Sequence, residues 1–343
     1  MRLSFIIPVY NVESYIDRCV ASVLAQGLSP DDYEVILVDD HSSDSSFSKC
    51  QEWVMRYDNI HLVSHIVNQG VGAARNTGIA KSKGDFLLFL DSDDYLSPNG
   101  ISYLFDTFDV DRYDLVRYWS RIVEEGEVVN DTDCSGIVNY EGRGDDFVIQ
   151  FGFDSFCWPF LYRKEWLIEK GISFTRNKMG EDYLFISEVF LNNPMILSTT
   201  CRIYYYIKRR GSITTDRSRS KSADNARSIN AVISELISYA KSIGYSEESM
   251  MMKYVKQSAQ KKMLSFVSRV LISDISKAEF VEMISSMRGQ GIIPLSYYSD
   301  SIRGRIYSTC INCVLNRPSF LLFYRYLYRF VLHPVIVMNI SKN

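Results

Sequence analysis

The chain has 343 residues, of which 46% are hydrophobic and 23% charged, and its formal net charge is −3 at pH 7. This composition excludes an intrinsically disordered chain, a collagen-like chain and a polytopic membrane protein. So small a net charge argues against a protein built to coat nucleic acid. At roughly 150 residues per domain, the length predicts two domains.

The first hundred residues alternate between short apolar strands and helices. Strands are predicted over residues 3–9, 33–38, 61–67 and 85–90. Helices are predicted over 12–24, where Asn11 is a candidate N-cap, and over 71–81. Alternation of this kind predicts an α/β fold, with a mostly parallel sheet covered by helices on both faces. Ligands bind such sheets beyond the carboxyl ends of the strands.

The pattern changes twice further along the chain. The middle part mixes elements, with predicted strands at 115–119 and 121–129, a helix at 183–191 and extended chain at 195–207. Beyond residue 216 the apolar spacing is helical, most clearly at 226–242 and 250–271. We therefore predict an α/β domain over 1–215 and a helical C-terminal region over 216–343, with the boundary in the basic stretch near 211–223.

Cysteines and apolar runs indicate the compartment. The seven cysteines are scattered, and only Cys310 and Cys313 have metal-like or redox-like spacing, a weak signal without a second pair. The apolar run at 3–9 is too short for a signal peptide. No stretch reaches the ~20 apolar residues of a membrane span. We expect a protein of the reducing cytoplasm.

Three carboxylates lie within four residues in the segment Asp91-Ser92-Asp93-Asp94, directly after a predicted strand. Like charges this close repel each other, so a fold tolerates them best around a cation. Hard oxygen ligands at this spacing suit Mg²⁺ or Mn²⁺. The alternative is an Asp-rich turn that caps the helix starting near Pro98.

Asp39 and Asp40 follow the second strand in the same way, so both carboxylate clusters should face one crevice. A carboxylate there can accept a hydrogen bond from a nucleobase or a ribose hydroxyl, although a helix-capping loop is the alternative. Arg75, on the predicted helix at 71–81, could meet a phosphate or pair with one of these clusters. The glycine-rich dinucleotide fingerprint is absent after the first strand, which argues against a Rossmann dehydrogenase.

Four segments between residues 3 and 95 resemble, in order and spacing, the family 2 glycosyltransferases, inverting enzymes with the GT-A fold. The segments are Ser4-Phe5-Ile6-Ile7-Pro8-Val9-Tyr10-Asn11, residues 34–44, Gly72-Ala73-Ala74-Arg75-Asn76 and the Asp-x-Asp motif Asp91-Ser92-Asp93. A weaker resemblance reaches about residue 215 through Gly180-Glu181-Asp182 and residues 210–214. The family more often has glycine at the position of His41.

The resemblance implies a site for a nucleotide sugar, usually a UDP-sugar, and for a divalent cation that neutralises charge on the leaving diphosphate. Pro8, Tyr10 and Asp40 would hold the base and ribose. The donor-site residues that we assign are Pro8, Tyr10, Asn11, Asp40, Arg75, Asp91, Ser92 and Arg210. The metal residues that we assign are Asp93, as the contacting carboxylate, with Asp91 and Asp94.

An inverting transfer is a single displacement, so one carboxylate must take the proton from the attacking hydroxyl. The resemblance places the acidic pair Glu181-Asp182 in the acceptor site, and we assign the base to Asp182 rather than Glu181. A helix N-terminus at this pair would favour the ionised form. Acidic residues in an ordinary first turn are the alternative.

Two further segments have open interpretations. The basic residues of 202–221, including Arg210, could fold over the diphosphate as a lid or simply be solvated. Trp158, Tyr162 and Trp166 either line the acceptor cleft or belong to the core. At the C-terminus, residues 317–337 have the composition of an interfacial helix drawn to anionic lipid, or of a core helix with solvated arginines.

The sequence thus predicts a metal-dependent, inverting hexosyltransferase that moves a sugar to a hydroxyl of a saccharide or a lipid-linked saccharide. The family implies surface polysaccharide biosynthesis at the inner face of the cell membrane. A nucleotidyltransferase is an alternative, although its glycine-rich basic loop after the first strand is absent. A non-catalytic nucleotide-sugar-binding module is another, against which the intact Asp91, Asp93 and Asp182 argue.

Overall fold

The structure, a computed structural model, describes residues 1–127, 129, 136–175, 179–208, 218–295, 309 and 311–327. The chain divides into two compact units, Met1–Arg210 and Gly211–Asn343. This division falls close to the predicted boundary at residue 215.

The described part of the first unit is built on one nine-stranded sheet. Its strands are β1 (Leu3–Val9), β2 (Tyr33–Asp39), β3 (Ile60–Ser64), β4 (Phe86–Phe89), β5 (Tyr95–Leu96), β6 (Leu115–Glu124), β7 (Val138–Arg143), β8 (Phe160–Arg163) and β9 (Met195–Lys208). Their order is β3-β2-β1-β4-β8-β6-β9-β5, and β7 pairs with β9. The first four strands are parallel, and β8 joins antiparallel to β4 and β6. The carboxyl ends of β1, β2 and β4 therefore meet at one edge.

Seven helices flank this sheet in the described residues. They are α1 (Ile16–Leu24), α2 (Ser46–Arg56), α3 (Val71–Lys81), α4 (Gly100–Thr107), α5 (Gly144–Phe151), α6 (Lys164–Glu169) and α7 (Glu181–Leu191), with a 3₁₀ turn at Val110–Arg112. Strands β1 and β2 are buried along their whole length because helices cover both faces, which explains their continuous apolar runs. The predicted strand at 3–9 and helix at 71–81 are confirmed.

The second unit is helical in its described residues. Its elements are α8 (Arg219–Ser242), α9 (Met250–Ile272), α10 (Lys277–Gly289), α11 (311–316), a 3₁₀ turn at Pro318–Phe320 and α12 (Leu321–Leu327). Helices α8 and α9 pack against each other. None of the helices in the described ranges combines the length and apolar character that crossing a bilayer requires. The predicted helical C-terminal region is confirmed.

Two local predictions were wrong. Asn11 does not cap α1, which begins at Ile16 after Tyr15; Asn11 adopts φ +51° and its Oδ1 accepts from the backbone N–H of Ser43, 2.8 Å away. The two strands predicted at 115–119 and 121–129 are one strand, β6, with a register irregularity around Trp119. An irregularity of this kind interrupts the period-2 pattern without ending the strand.

Candidate active site

The loops that follow β1, β2 and β4 are bonded to one another at the sheet edge. The backbone N–H of Asp40 donates to the carbonyl of Val9 at 2.8 Å, since β2 runs beside β1. Arg18 of α1 reaches across to the loop after β4, where its Nη2 donates to the carbonyl of Asp93 at 3.1 Å. The ends of β1 and β2 are therefore bonded to each other, and α1 is bonded to the loop after β4, while the predicted crevice between the two carboxylate clusters stays a prediction.

Asp94 anchors the loop after β4 to the neighbouring strand β9. Its Oδ2 accepts from the hydroxyl of Tyr204 at 2.6 Å, and its Oδ1 accepts from the backbone N–H of Ile207 at 2.7 Å. The same Tyr204 hydroxyl accepts from the backbone N–H of Asp91 at 3.2 Å. Burial, together with Asp91 and Asp93, raises the pKa of Asp94 to about 8. Asp94 therefore shapes the loop rather than presenting an open carboxylate.

Asp91 and Asp93 are the members of the Asp-x-Asp motif that remain partly exposed. Among the described residues, no three His, Cys, Asp or Glu side chains converge as a metal site would require. Mg²⁺ and Mn²⁺ are commonly bound by one or two carboxylates plus substrate phosphates. Asp91 and Asp93 fit such a site. Each oxygen of Asp94 already accepts one hydrogen bond from the protein, and its assignment as a third metal residue stays a prediction.

Arg75 joins the motif after β4 to the acidic pair that starts α7. Its Nη2 donates to Asp91 Oδ1 at 2.7 Å, its Nη1 donates to Asp182 Oδ1, and Nη1 lies 3.6 Å from Glu181 Oε1. The guanidinium is buried and lies 5.2 Å from the ring centre of Phe174. One cation thus holds two carboxylates that are 91 residues apart in the chain, so that both face the same small volume.

The start of α3 is shaped so that Arg75 can reach these partners. Gly70 adopts φ +91°, which favours glycine. A Cβ at Gly72 would lie 2.8 Å from the carbonyl oxygen of Thr175, so only glycine allows this approach. These contacts explain why glycines precede the arginine in this motif.

Electrostatics at the acidic pair depends on burial and on Arg75. Burial raises the pKa of Asp182, Arg75 opposes that shift, and Asp91 adds to it. Burial and the neighbouring Asp182 raise the pKa of Glu181 to about 8. The thiol of Cys157 also lies 3.4 Å from Asp182 Oδ1 and donates to it. Asp182 is therefore held by two side-chain donors. The helix N-terminus was expected to favour its ionised form, but burial outweighs any such effect and the pKa of Asp182 is raised.

The residues predicted for the base and ribose occupy the neighbouring strand ends. Tyr10 is 47% exposed and open to a ligand, and Pro8 is buried in β1. Asp40 is buried, and its carboxylate accepts from the backbone N–H groups of Gln69 and Gly70 at 2.8 and 2.7 Å. It also bonds to His65 Nδ1 at 2.7 Å. Asp40 therefore fixes the loop between β3 and α3.

Other predicted residues are less informative. Ser92 is buried beside the motif, and Arg210 lies outside the described residues. Tyr162 and Trp166 are buried in the core, as one of the two interpretations required. Trp158 is also buried in the core. Its ring stacks on that of Tyr204 with centroids 4.3 Å apart, and the Tyr204 hydroxyl bonds to Asp94.

Sequence reasoning did not single out three residues of this site. Tyr204 and Cys157 gave no sequence signal, since each lies in an apolar stretch and acts through a contact distant in the chain. Asp39 was seen only as part of a cluster. In the described structure its Oδ1 is buried and has no hydrogen-bond partner, which is unusual for a carboxylate oxygen.

Comparisons with known proteins identify a family and similar structures. Residues 4–170 match the family model described as Glycosyl transferase family 2. A Poly(ribitol-phosphate) beta-glucosyltransferase of Bacillus spizizenii is 30% identical over 229 residues, which are 61% of this chain and 33% of that protein. The chain spans between 31% and 62% of the length of the first four curated relatives.

Solved structures share the fold. The crystal structure of S. aureus TarS 1-349 in complex with UDP-GlcNAc is 18% identical, with a TM-score of 0.61 over 96% of this chain and 92% of that one. Mannosyltransferase PcManGT from Pyrobaculum calidifontis, in complex with GDP-Man and Mn2+, is 14% identical, with a TM-score of 0.51 over 93% and 86% of the two chains. The predicted GT-A fold is confirmed.

Proposed function

Because residues 4–170 make this chain a member of glycosyl transferase family 2, we propose that it transfers a sugar, with inversion, from a UDP-sugar to an acceptor hydroxyl. One observation carries the proposal: Arg75 holds Asp91, beside the donor loops, and Asp182, at the start of α7, on one buried guanidinium. A carboxylate on the leaving-group side and a carboxylate for the base are thereby within reach of one sugar.

Asp182 is the base of this proposal. It takes the proton from the attacking hydroxyl while that oxygen forms the new bond to the anomeric carbon and the diphosphate leaves. Arg75 and Cys157 fix the carboxylate through Oδ1, so Oδ2 is the oxygen that accepts the proton. Burial and the neighbouring Asp182 raise the pKa of Glu181 to about 8, which makes Glu181 the less readily ionised member of the pair in this proposal.

We also propose that the donor binds with Mg²⁺ or Mn²⁺ at Asp93 and Asp91. The ion would supply positive charge that stabilises the departing diphosphate. Asp94 and Tyr204 hold the loop on which these two carboxylates stand. We propose that Arg210 contacts the diphosphate.

The donor and metal assignments have a direct test. Purified protein is incubated with UDP-glucose, UDP-GlcNAc, UDP-galactose and GDP-mannose, with Mn²⁺ or with EDTA, and released nucleotide is measured. We expect that the protein turns over one UDP-sugar in the presence of Mn²⁺ and that EDTA abolishes this turnover. Asp93→Asn should abolish it, whereas Asp106→Asn, an exposed aspartate of α4, should not. Wild-type turnover in Asp93→Asn would refute the metal assignment.

The pathway that we propose is assembly of a surface polysaccharide on a saccharide or lipid-linked saccharide, by a cytoplasmic enzyme. Its support is the relative named for poly(ribitol-phosphate) glucosylation. We further propose that residues 317–337 touch the inner face of the membrane, since Phe320, Leu322, Phe323 and Tyr326 are all more than half exposed.

The described part of that segment changes the role of one arginine. Arg325 Nη2 donates to the carbonyls of Val270 and Ile275, at 3.1 and 2.7 Å. Its guanidinium therefore hydrogen-bonds to carbonyls at and just beyond the end of α9. Arg329 lies outside the described residues. Insertion therefore depends on the apolar side chains, and Leu322→Glu with Phe323→Glu should abolish sedimentation with anionic vesicles. Leu264→Glu, on exposed α9 surface, is the control; equal binding of all three proteins would refute the membrane proposal.

A further inference from the structure

A groove of about 390 Å³ opens on the sheet face formed by β6 and β9, beside the candidate active site. Aromatic side chains line much of it: Tyr118, Trp119, Phe156, Trp158 and Tyr206. Its volume lies in the range of about 300–1,000 Å³ that small-molecule sites occupy. None of its residues was assigned a role above except Trp158.

Two buried contacts connect the wall of the groove to the candidate catalytic groups. The segment that carries Phe156 and Trp158 into the groove also carries Cys157, whose thiol donates to Asp182 Oδ1. On the other side, Trp158 stacks on Tyr204, which bonds to Asp94. The segment 156–158 therefore lines the groove and also contacts both the candidate base and, through Tyr204, the loop after β4.

Two aromatic rings of the groove are partly exposed. Trp119 is 38% exposed and Phe156 is 49% exposed, and the ring of Phe156 stacks on Trp158 with centroids 5.1 Å apart. The register irregularity of β6 is centred on Trp119. Irregularities of this kind re-aim a side chain next to active sites. Exposed aromatic faces beside a catalytic centre are suited to the C–H faces of sugar rings.

The polar groups of the groove indicate the charge of its occupant. Among the described lining residues, the charged side chains are Arg117 and Asp154, and they pair at 3.0 Å between Nε and Oδ2. The pair leaves no net charge to attract a phosphate, yet offers both donors and an acceptor to hydroxyl groups. A half-buried ion pair in the groove also disfavours a lipid chain, which could not replace its lost solvation.

We propose that this groove binds the part of an uncharged saccharide acceptor that lies beyond the reacting hydroxyl. The inference rests on the proposed function, because it takes Asp182 as the point towards which the acceptor extends. It adds to that function the acceptor class, a neutral oligosaccharide rather than a phosphate-rich polymer, and the residues that select it, Trp119 and Phe156 for the rings and Arg117 with Asp154 for the hydroxyls.

The first measurement uses the full-length wild-type protein. Cellotriose, maltotriose, chitotriose and a glycerol-phosphate trimer are titrated separately, with tryptophan fluorescence and saturation-transfer difference NMR as readouts. We expect at least one neutral trisaccharide to bind and to receive saturation from aromatic protons, and the glycerol-phosphate trimer to bind more weakly. Binding of the anionic trimer alone, or of none of the four, would overturn the proposal.

The second measurement locates the binding. Trp119→Ala and Phe156→Ala should each weaken binding of that trisaccharide by about tenfold, the effect of one lost stacking partner. Phe151→Ala is the matched control, since Phe151 is 47% exposed and also lies beside a single buried phenylalanine, Phe147, but does not line the groove. Wild-type affinity in both groove variants would overturn the assignment.

Folding of the variants is checked by near-ultraviolet circular dichroism, and Phe156→Leu replaces Phe156→Ala if the latter does not fold.

Failure of this inference is distinguishable from failure of the proposed function. If trisaccharide binds in the groove but no nucleotide sugar is turned over, the groove assignment stands and the transferase proposal falls. If a UDP-sugar is turned over and the groove variants bind trisaccharide normally, the reverse holds.

Discussion

Replacing Arg75 with methionine should destabilise the first unit by about 3 kcal/mol. The side chain of Arg75 is 3% exposed, and it pairs with Asp91, Asp182 and Glu181, whose side chains are 25%, 18% and 12% exposed. Removing one partner of a buried ion pair costs about 3–5 kcal/mol, because the remaining charge is left uncompensated. Because the carboxylates are partly exposed, we expect a loss of stability at the lower end of that 3–5 kcal/mol range.

The loss should be coupled to the charge of Asp182. Urea unfolding of the full chain, followed by circular dichroism, compares Arg75→Met, Asp182→Asn and the double variant with wild type. Asp182→Asn removes one of the charges that Arg75→Met leaves unpaired, so the double variant should be more stable than the sum of the single effects by about 1 kcal/mol or more. Arg56→Met is the control, because Arg56 forms an exposed pair with Glu52 worth about 0.5 kcal/mol or less. A loss for Arg75→Met no larger than that of the control would refute the reasoning.

Two further predictions concern the loop after β4 and the pH dependence of the reaction. Tyr204→Phe should lower stability by about 2 kcal/mol and raise the donor KM, since it leaves Asp94 and the backbone N–H of Asp91 without their partner; an unchanged donor KM would show that the hydroxyl does not position the loop. In a profile of kcat against pH, the apparent pKa of the acid limb should lie above the usual aspartate value of about 4. The base must be ionised to act, and burial raises the pKa of Asp182. In Arg75→Met the limb should move to still higher pH, since the cation that lowers this pKa is lost; a shift to lower pH in the rate profile would contradict the assignment.

The fold of the first hundred residues follows from the sequence because buried parallel strands are continuous apolar runs. The bounds of β1 and α3 agree with prediction, whereas the third predicted strand, 61–67, ends at Ser64. Beyond it, Ile66 is 88% exposed, so an apolar residue there does not indicate burial. Loop-to-loop bonds such as that of Asn11 cannot be read from local spacing.

In the candidate site, too, features within one short segment can be predicted from the sequence, whereas contacts between distant segments cannot. Residues within one motif, such as Asp91 and Asp93, were predicted because a single strand end positions them. Pairing of Arg75 with one of the Asp clusters was one of two stated alternatives, and its bond to Asp91 confirms it. Its second bond, to Asp182, joins residues 107 positions apart and depends on how α3 and α7 pack, which no local pattern contains.

The C-terminal arginines illustrate a different limit. The spacing of Arg325 and Arg329 predicts one charged helix face, but composition does not show what that face meets. Arg325 donates to two carbonyls at and beyond the end of α9. Arginine commonly satisfies carbonyls at helix ends, and whether it does so depends on tertiary packing.

The central claim is that Asp182 is the base of a sugar transfer from a nucleotide diphosphate donor. The most direct measurement compares wild type and Asp182→Asn for kcat at saturating UDP-sugar and acceptor, and for the Kd of UDP. The account predicts that kcat falls by about 10²–10⁴-fold, as expected for loss of a general base, while the Kd of UDP changes little. A kcat close to that of wild type, or a loss of UDP binding that accounts for the lower rate, would contradict it.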